Sequence, residues 1–268
     1  MFAVLRSPAP VVATFHAYSA RSGLFDVAAP ILRLLWRRIS VRIAVSQAAS
    51  EFVTSRLGNG VRIIPNGVDV DLFAGGQPAP ELPPGRRLLW VGRLDRQKGF
   101  PVAVRAFGIL AGEFPDLLMV VVGEGHDRDA IKQLPNGARD RVVMVGSVPH
   151  ERLPPYYSGA DVYVSPALGQ ESFGMVLVEA MAAGVPVVAT NIPGYREVIR
   201  PDVDGVLVPP GDPVALAEAV RRVLSDPSLA TRLSEAGLAR AERYRWDVVV
   251  EEIERAYQDA LTGDSASV

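Results

Sequence analysis

The 268-residue sequence contains no cysteine, so disulfides and thiolate chemistry are excluded and nothing is implied about redox compartment. Lysine is almost missing as well. Of 28 basic residues only Lys98 and Lys132 are lysines, a bias from which no function follows. No run approaches the roughly 20 apolar residues that a membrane-spanning helix needs. A secretory leader is not legible either. Ala17-Tyr18-Ser19-Ala20 loosely imitates a cleavage site, but Arg6, Pro8, Pro10 and His16 interrupt the apolar stretch and the basic n-region is missing, which reads as a cytosolic protein. Neither sign of charge dominates: the formal net charge is -2, so there is no global attraction to nucleic acid, and any pull on phosphate or membrane must be local. Apolar residues are abundant, 49% against 22% charged, enough to build a sizeable core in one large domain or two modest ones.

From residue 86 onward, short apolar runs alternate with helical patterns. Strands are expected at 88–92, 117–122, 142–146, 162–166, 185–189 and 206–208. Helices are expected at 101–113, 127–134, 153–160, 174–183, 213–224 and 229–244. Continuous Val/Leu runs without polar alternation indicate strands buried on both faces of a parallel sheet. Repeated β-α units of this length specify a doubly wound α/β domain with ligands at the carboxyl ends of its strands. Before it, strands are expected at 11–16 and 41–46, a helix at 29–39, and a strand ending in a turn at 63–69. The Gly/Pro-rich stretch 75–84 reads as an interdomain connection, and the small polar tail from 262 as frayed.

The most informative segment runs from Glu171-Ser172-Phe173-Gly174-Met175 through Glu179 to Gly184-Val185-Pro186. Gly174 opens a helix-favouring apolar run, and Gly184 and Pro186 close it. The first turn of such a helix offers unpaired N–H groups and the positive end of a macrodipole, which suits a phosphate. Glu171 lies in the preceding loop; Glu179, further along, can accept hydrogen bonds from paired hydroxyls such as those of a ribose. Arg93 and Lys98 follow the 88–92 strand, where two fixed cations can neutralise a departing diphosphate without a metal. Gly123-Glu124-Gly125 ends another strand and reads either as close backbone approach to a nucleotide or as a plain turn.

These motifs resemble the retaining glycosyltransferases of the family-4 type, which have the GT-B architecture. The likeness extends over nearly all of the chain. Thr14-Phe15-His16, Ile43-Ala44-Val45-Ser46, Ile64-Pro65-Asn66-Gly67-Val68-Asp69, Val91-Gly92-Arg93 with Lys98-Gly99, Val122-Gly123-Glu124-Gly125, the glutamate segment and Arg245-Trp246-Asp247 occur in the family's order. Within the family the chain looks most like the phosphatidylinositol mannosyltransferases. The resemblance implies catalytic roles for His16 and Glu171. It implies donor binding by Arg93, Lys98, Gly123, Val148, His150, Ser172, Phe173, Gly174, Met175 and Glu179. No metal or cofactor is implied. The donor would be a nucleoside-diphosphate sugar of the GDP-mannose kind and the acceptor a lipid or small molecule, phosphatidylinositol-like in the specific reading. Because His150 and Leu153 stand where relatives carry polar base-reading side chains, the base stays open.

The expected organisation is α/β of GT-B type. Residues 1–75 would be the remnant of an acceptor-side Rossmann-like domain and 76–245 a complete nucleotide-sugar-binding one. Residues 246–268 would be a helix packing back on the first. The family's first strand and glycine-rich loop have no counterpart, so the chain reads as N-terminally truncated and inactive alone. The rival readings are a non-catalytic nucleotide-sugar-binding module and, less favoured, an epimerase on the same fold. Arg33, Arg37, Arg38 and Arg42 beside Leu32, Leu34, Leu35 and Trp36 read first as the solvated face of a packed helix. Peripheral contact with an anionic membrane is the alternative.

Overall fold

A computed structural model describes residues 7–18 and 23–263. The apolar opening at 1–6 and the tail from 264 lie outside them. The chain divides into two compact units, one of residues Met1–Gly67, Gln170–Phe173 and Tyr244–Val268, the other of Val68–Gly169 and Gly174–Arg243.

The first unit is built on a three-stranded parallel sheet in the order β1-β2-β3, formed by β1 (Val12–Phe15), β2 (Val41–Ala44) and β3 (Val61–Ile63), with α1 (Gly23–Trp36) and α2 (Gln47–Leu57) as crossovers. Period-two alternation sends successive side chains to opposite faces. Ala13 and Phe15 join Trp36, Phe52 and Val53 under α1 and α2, whereas Val12, Val41 and Ile43 pack with Val249, Ala256 and Ala260 of the C-terminal helix Trp246–Thr262. The strand expected at 63–69 is displaced to Val61–Ile63, because Pro65 has no N–H to continue the ladder; the last rung is Ile64 N–H on Ala44 O at 3.0 Å.

The second unit begins at Val68 rather than near 76. The helix α3 (Val70–Phe73) is capped by Asp69, whose carboxylate accepts from Leu72 N–H, and it buries Val70 and Phe73. The Gly/Pro-rich stretch is not a free connection either. Ala79 donates to Pro155 O at 3.0 Å, and Ala79 and Leu82 are buried within this unit. Its six parallel strands are β4 (Arg86–Val91), β5 (Leu117–Val122), β6 (Val142–Gly146), β7 (Val162–Ser165), β8 (Val187–Thr190) and β9 (Val206–Val208), ordered β6-β5-β4-β7-β8-β9. Its helices are α4 (Phe100–Leu110), α5 (Asn136–Arg139), α6 (Pro154–Ser158), α7 (Met175–Ala182), α8 (Pro193–Val198), α9 (Pro213–Ser225) and α10 (Pro227–Ala241); the C-terminal helix is α11. The segment expected as a helix at 127–134 is a 3-10 run, His126–Gln133, whose start is tied down by Asp127 N–H on Leu94 O. β4, β5 and β7 are apolar on both sides, as a doubly covered sheet requires, with Leu89, Val121 and Tyr163 fully buried.

Candidate functional site

In the second unit the chain runs outward through β4, β5 and β6 on one side, then returns to lay β7, β8 and β9 on the other. β4 and β7 are therefore neighbours whose following loops diverge, the topological switch point at which open α/β sheets bind ligands. The loop after β4 carries Arg93 and Lys98. Asp95 organises it: one carboxylate oxygen accepts Lys98 N–H at 2.7 Å, and the other lies 3.3 Å from the Arg93 guanidinium, which is 73% exposed. The β4 loop is tied to the β7 loop by Leu168 N–H on Gln97 O at 2.8 Å. Contact is closest at Gly99, where φ is +77° and a Cβ would lie 1.8 Å from Pro166 O. Thr190 Oγ1 adds a hydrogen bond to Ala167 O from β8.

The β7 loop leads into α7. Gly174 caps it in the left-handed region at φ 95° and, having no side chain, supplies no cap hydrogen bond, so backbone donors are presented at the helix start. The Tyr195 ring sits against Gly174, 2.7 Å from where a Cβ would be, and the Tyr195 hydroxyl pairs with Ser165 at 2.7 Å. Met175 is exposed. Glu179, in the second turn, is only 4% exposed. Its Oε2 accepts the Tyr157 hydroxyl at 2.9 Å, and its Oε1 lies 3.9 Å from His150 Nδ1, beyond hydrogen-bond range. Burial raises the Glu179 carboxyl above the usual carboxylate value, an effect offset in part by the Tyr157 hydrogen bond and by His150. Burial likewise pushes the Tyr157 hydroxyl well above the phenol value, and the neighbouring Glu179 charge adds to it.

The structure thus brings Glu179 and His150 together, and Arg93 and Lys98 into one loop. Val148, half-buried, lies in the same β6 loop as His150. Gly123 also serves the packing of the protein itself. Its Cβ would lie 1.8 Å from Gly92 O at φ +133°, so the residue is required for two protein loops to meet. The remaining candidates fall in the first unit. His16 is exposed just after β1, while Glu171 and Ser172 are half-buried. The Phe173 ring is buried and packs edge-on against Tyr244 at 5.3 Å.

Two residues escaped the sequence reading. Tyr157 is fully buried and bonds Glu179, and Phe73 sets its ring edge against both His150 and Tyr157, each at 5.5 Å. No spacing rule links positions 73, 157 and 179. Tyr157 falls inside the helix expected at 153–160, and nothing in that window signals a contact with Glu179.

Comparison with known proteins bears on the whole arrangement. Residues 80–240 match the model of the glycosyl transferases group 1, and residues 1–72 that of glycosyltransferase family 4. The phosphatidyl-myo-inositol mannosyltransferase of Mycobacterium leprae is 37% identical over 99% of this chain and 71% of its own length. That of Mycobacterium tuberculosis strain H37Rv is 38% identical over 100% and 72%. Among solved structures, the Anabaena protein Alr3699/HepE in complex with UDP superposes with a TM-score of 0.82 at 22% identity, covering 93% of this chain and 72% of that one. With a group 1 match over more than half its length and relatives this similar from end to end, the chain belongs to the group 1 glycosyltransferases, with a family 4 segment ahead of the group 1 one, and has the GT-B fold.

Proposed function

We propose that the chain transfers a hexose, mannose in the specific reading, from a nucleoside-diphosphate sugar to a phosphatidylinositol-like lipid acceptor with retention of configuration. The observation that carries this is Glu179, a buried carboxylate in the second turn of a helix without a side-chain cap, at a switch point whose other loop carries Arg93 and Lys98. The names of the mycobacterial relatives support the sugar and acceptor, and the UDP complex of the Anabaena protein supports a nucleotide donor.

In this reading Glu179 accepts the ribose hydroxyls and Glu171 holds sugar hydroxyls. Arg93 pairs with the diphosphate through its fork while Lys98 acts as a point charge, and Val148 and His150 border the base. The backbone at Ser172, Gly174 and Met175 completes the phosphate end. The acceptor hydroxyl attacks the anomeric carbon from the face the diphosphate leaves. That carbon–oxygen bond forms as the carbon–phosphate-oxygen bond breaks, and the hydroxyl proton passes to the leaving phosphate. The two cations stabilise the charge that develops there, so no metal is given a role. His16 is assigned to the neighbourhood of the transferred sugar.

A lipid acceptor calls for a route to a membrane surface. Val27, Ile31 and Leu34 are exposed at 80%, 58% and 62%, spaced four and three apart on one face of α1, with Arg37 and Arg38 exposed just beyond. Arg33 and Arg42 are engaged elsewhere, on Arg56 O and Trp36 O. Peripheral contact through this face is part of the proposal. Among the described residues no helix is long and apolar enough to cross a membrane.

Calorimetry with GDP and UDP tests the site. Glu179→Ala should weaken the bound nucleotide by about 1.5–3 kcal/mol, the range for hydrogen bonds to a charged group, while Glu171→Ala should spare it and impair only the intact nucleotide-sugar. Unchanged affinity in a folded Glu179→Ala variant removes Glu179 from the site. Binding without transfer to phosphatidylinositol vesicles leaves a binding module in place of a transferase.

A further inference from the structure

We propose that Tyr157 is the positioning residue of the donor site: its hydroxyl holds one oxygen of Glu179, keeps that carboxylate ionised in its buried setting, and leaves the other oxygen for the ribose. The inference rests on the assignment of Glu179 to the ribose and extends it to a residue in a different element.

The geometry is specific. Glu179 is 4% exposed, and the Tyr157 ring is fully buried between Phe73, edge-on at 5.5 Å, and Tyr163, at 5.5 Å. Close packing restrains a ring wedged in this way, and its hydroxyl donates to Glu179 Oε2 at 2.9 Å, with the Tyr163 hydroxyl beside it. An ionised carboxylate removed from water requires such donors, because without them it takes up a proton instead. Among the described residues, the polar groups that face Glu179 are Tyr157 from α6, with Tyr163 of β7 behind it, and His150 from the turn after β6 at 3.9 Å; the uncharged Phe73 ring of α3 packs against both Tyr157 and His150. Of these, only Tyr157 is within hydrogen-bond distance of the carboxylate, and its removal would leave burial opposed by His150 alone. A protonated Glu179 is a poorer acceptor for two hydroxyls. Nucleotide affinity should therefore fall as pH falls through the Glu179 pKa, and this fall should begin at higher pH without the Tyr157 hydroxyl.

The experiment uses the full chain and whichever of GDP and UDP binds it more tightly, together with the 2′,3′-dideoxy analogue. Affinities are measured by calorimetry between pH 5.5 and 8 for the wild type and Tyr157→Phe, each also with His150→Gln because His150 faces the same carboxylate at 3.9 Å. The inference expects the wild type to prefer the ribonucleotide, and Tyr157→Phe to lose that preference progressively toward acid. The loss should reach roughly tenfold for each unit by which the Glu179 midpoint moves, with nearly full recovery at pH 8. If neither nucleotide binds, or the dideoxy analogue binds as tightly as the ribonucleotide, the ribose assignment fails and the inference with it. If the wild type discriminates but Tyr157→Phe shows no loss, or the same loss at every pH, the assignment stands and the role given to Tyr157 is wrong. Should Tyr157→Phe not fold, the carboxyl 13C resonance of Glu179 in the wild type, identified by its disappearance in Glu179→Gln, decides the charge claim. It must titrate in step with ribonucleotide affinity, and a carboxyl still protonated where the nucleotide binds tightly overturns the inference.

Discussion

At Glu179 folding and binding make opposite demands. Burial raises its pKa, so the ionised form opposes folding; the group's favourable contribution is complete below the unfolded carboxylate pKa and is lost as pH rises through the folded one. Glu179→Gln keeps the volume and an oxygen for Tyr157 while removing the buried charge. It should stabilise the fold at neutral pH by on the order of 0.5–2 kcal/mol, seen as a higher melting temperature, yet weaken nucleotide binding. The gain should shrink toward pH 4, and a variant less stable than wild type at pH 7 would show that the charge is better compensated than its surroundings suggest. Glycines separate two further effects. Gly99→Ala combines a left-handed backbone with a Cβ 1.8 Å from Pro166 O, whereas Gly75→Ala has similar strain, at φ +68°, with open space around it. The first should cost about 2–5 kcal/mol in urea unfolding and the second about 1 kcal/mol. Equal costs would mean that the β4 and β7 loops can part. At this scale the glutamates and cations were legible because motif order marks them. Tyr157 and Phe73 were not, because their contact with the site is purely spatial.

Among the elements, the strands of the second unit were read most closely. Those at 117–122, 142–146 and 206–208 have the observed bounds, since a run of Val and Leu between turn residues has few other uses in a parallel sheet. Helices fared worse where their signal was a cap rather than a stripe. α2 has no counterpart among the expected elements, which pass from the strand at 41–46 to that at 63–69. Ser46, taken as strand, is its N-cap, accepting Ala49 N–H at 3.0 Å. α8 was missed because it has six residues and only Pro193 to announce it. Caps are accordingly where element stability can be tested. Asp212 accepts both Val214 N–H and Ala215 N–H at 2.9 Å at the start of α9, whose inner face carries Leu216, Val220 and Val223 into the core. Asp212→Ala should cost about 0.5–2 kcal/mol, with Asp212→Ser recovering most of it; a neutral alanine would mean that packing alone holds the helix.

In the whole molecule, the described residues of the main apolar cluster, from Leu88 to Leu233, all belong to the second unit. A fragment of residues 68–243 should therefore unfold cooperatively and still bind the nucleotide through Arg93, Lys98 and Glu179, without sugar transfer. A molten fragment, by near-ultraviolet circular dichroism, would show that the second unit depends on the first. Composition, the β-α alternation and the order of the glycine and glutamate motifs were enough to specify a parallel α/β protein, its family and the loops that carry its charged side chains, because these are properties of local sequence and short spacing. The unit boundary at Val68, the burial of the Gly/Pro stretch, the reason for Gly123 and the grip of Tyr157 on Glu179 were decided only by tertiary structure. Each depends on which distant segments the sheet order makes neighbours, and that information appears in no local window of the chain.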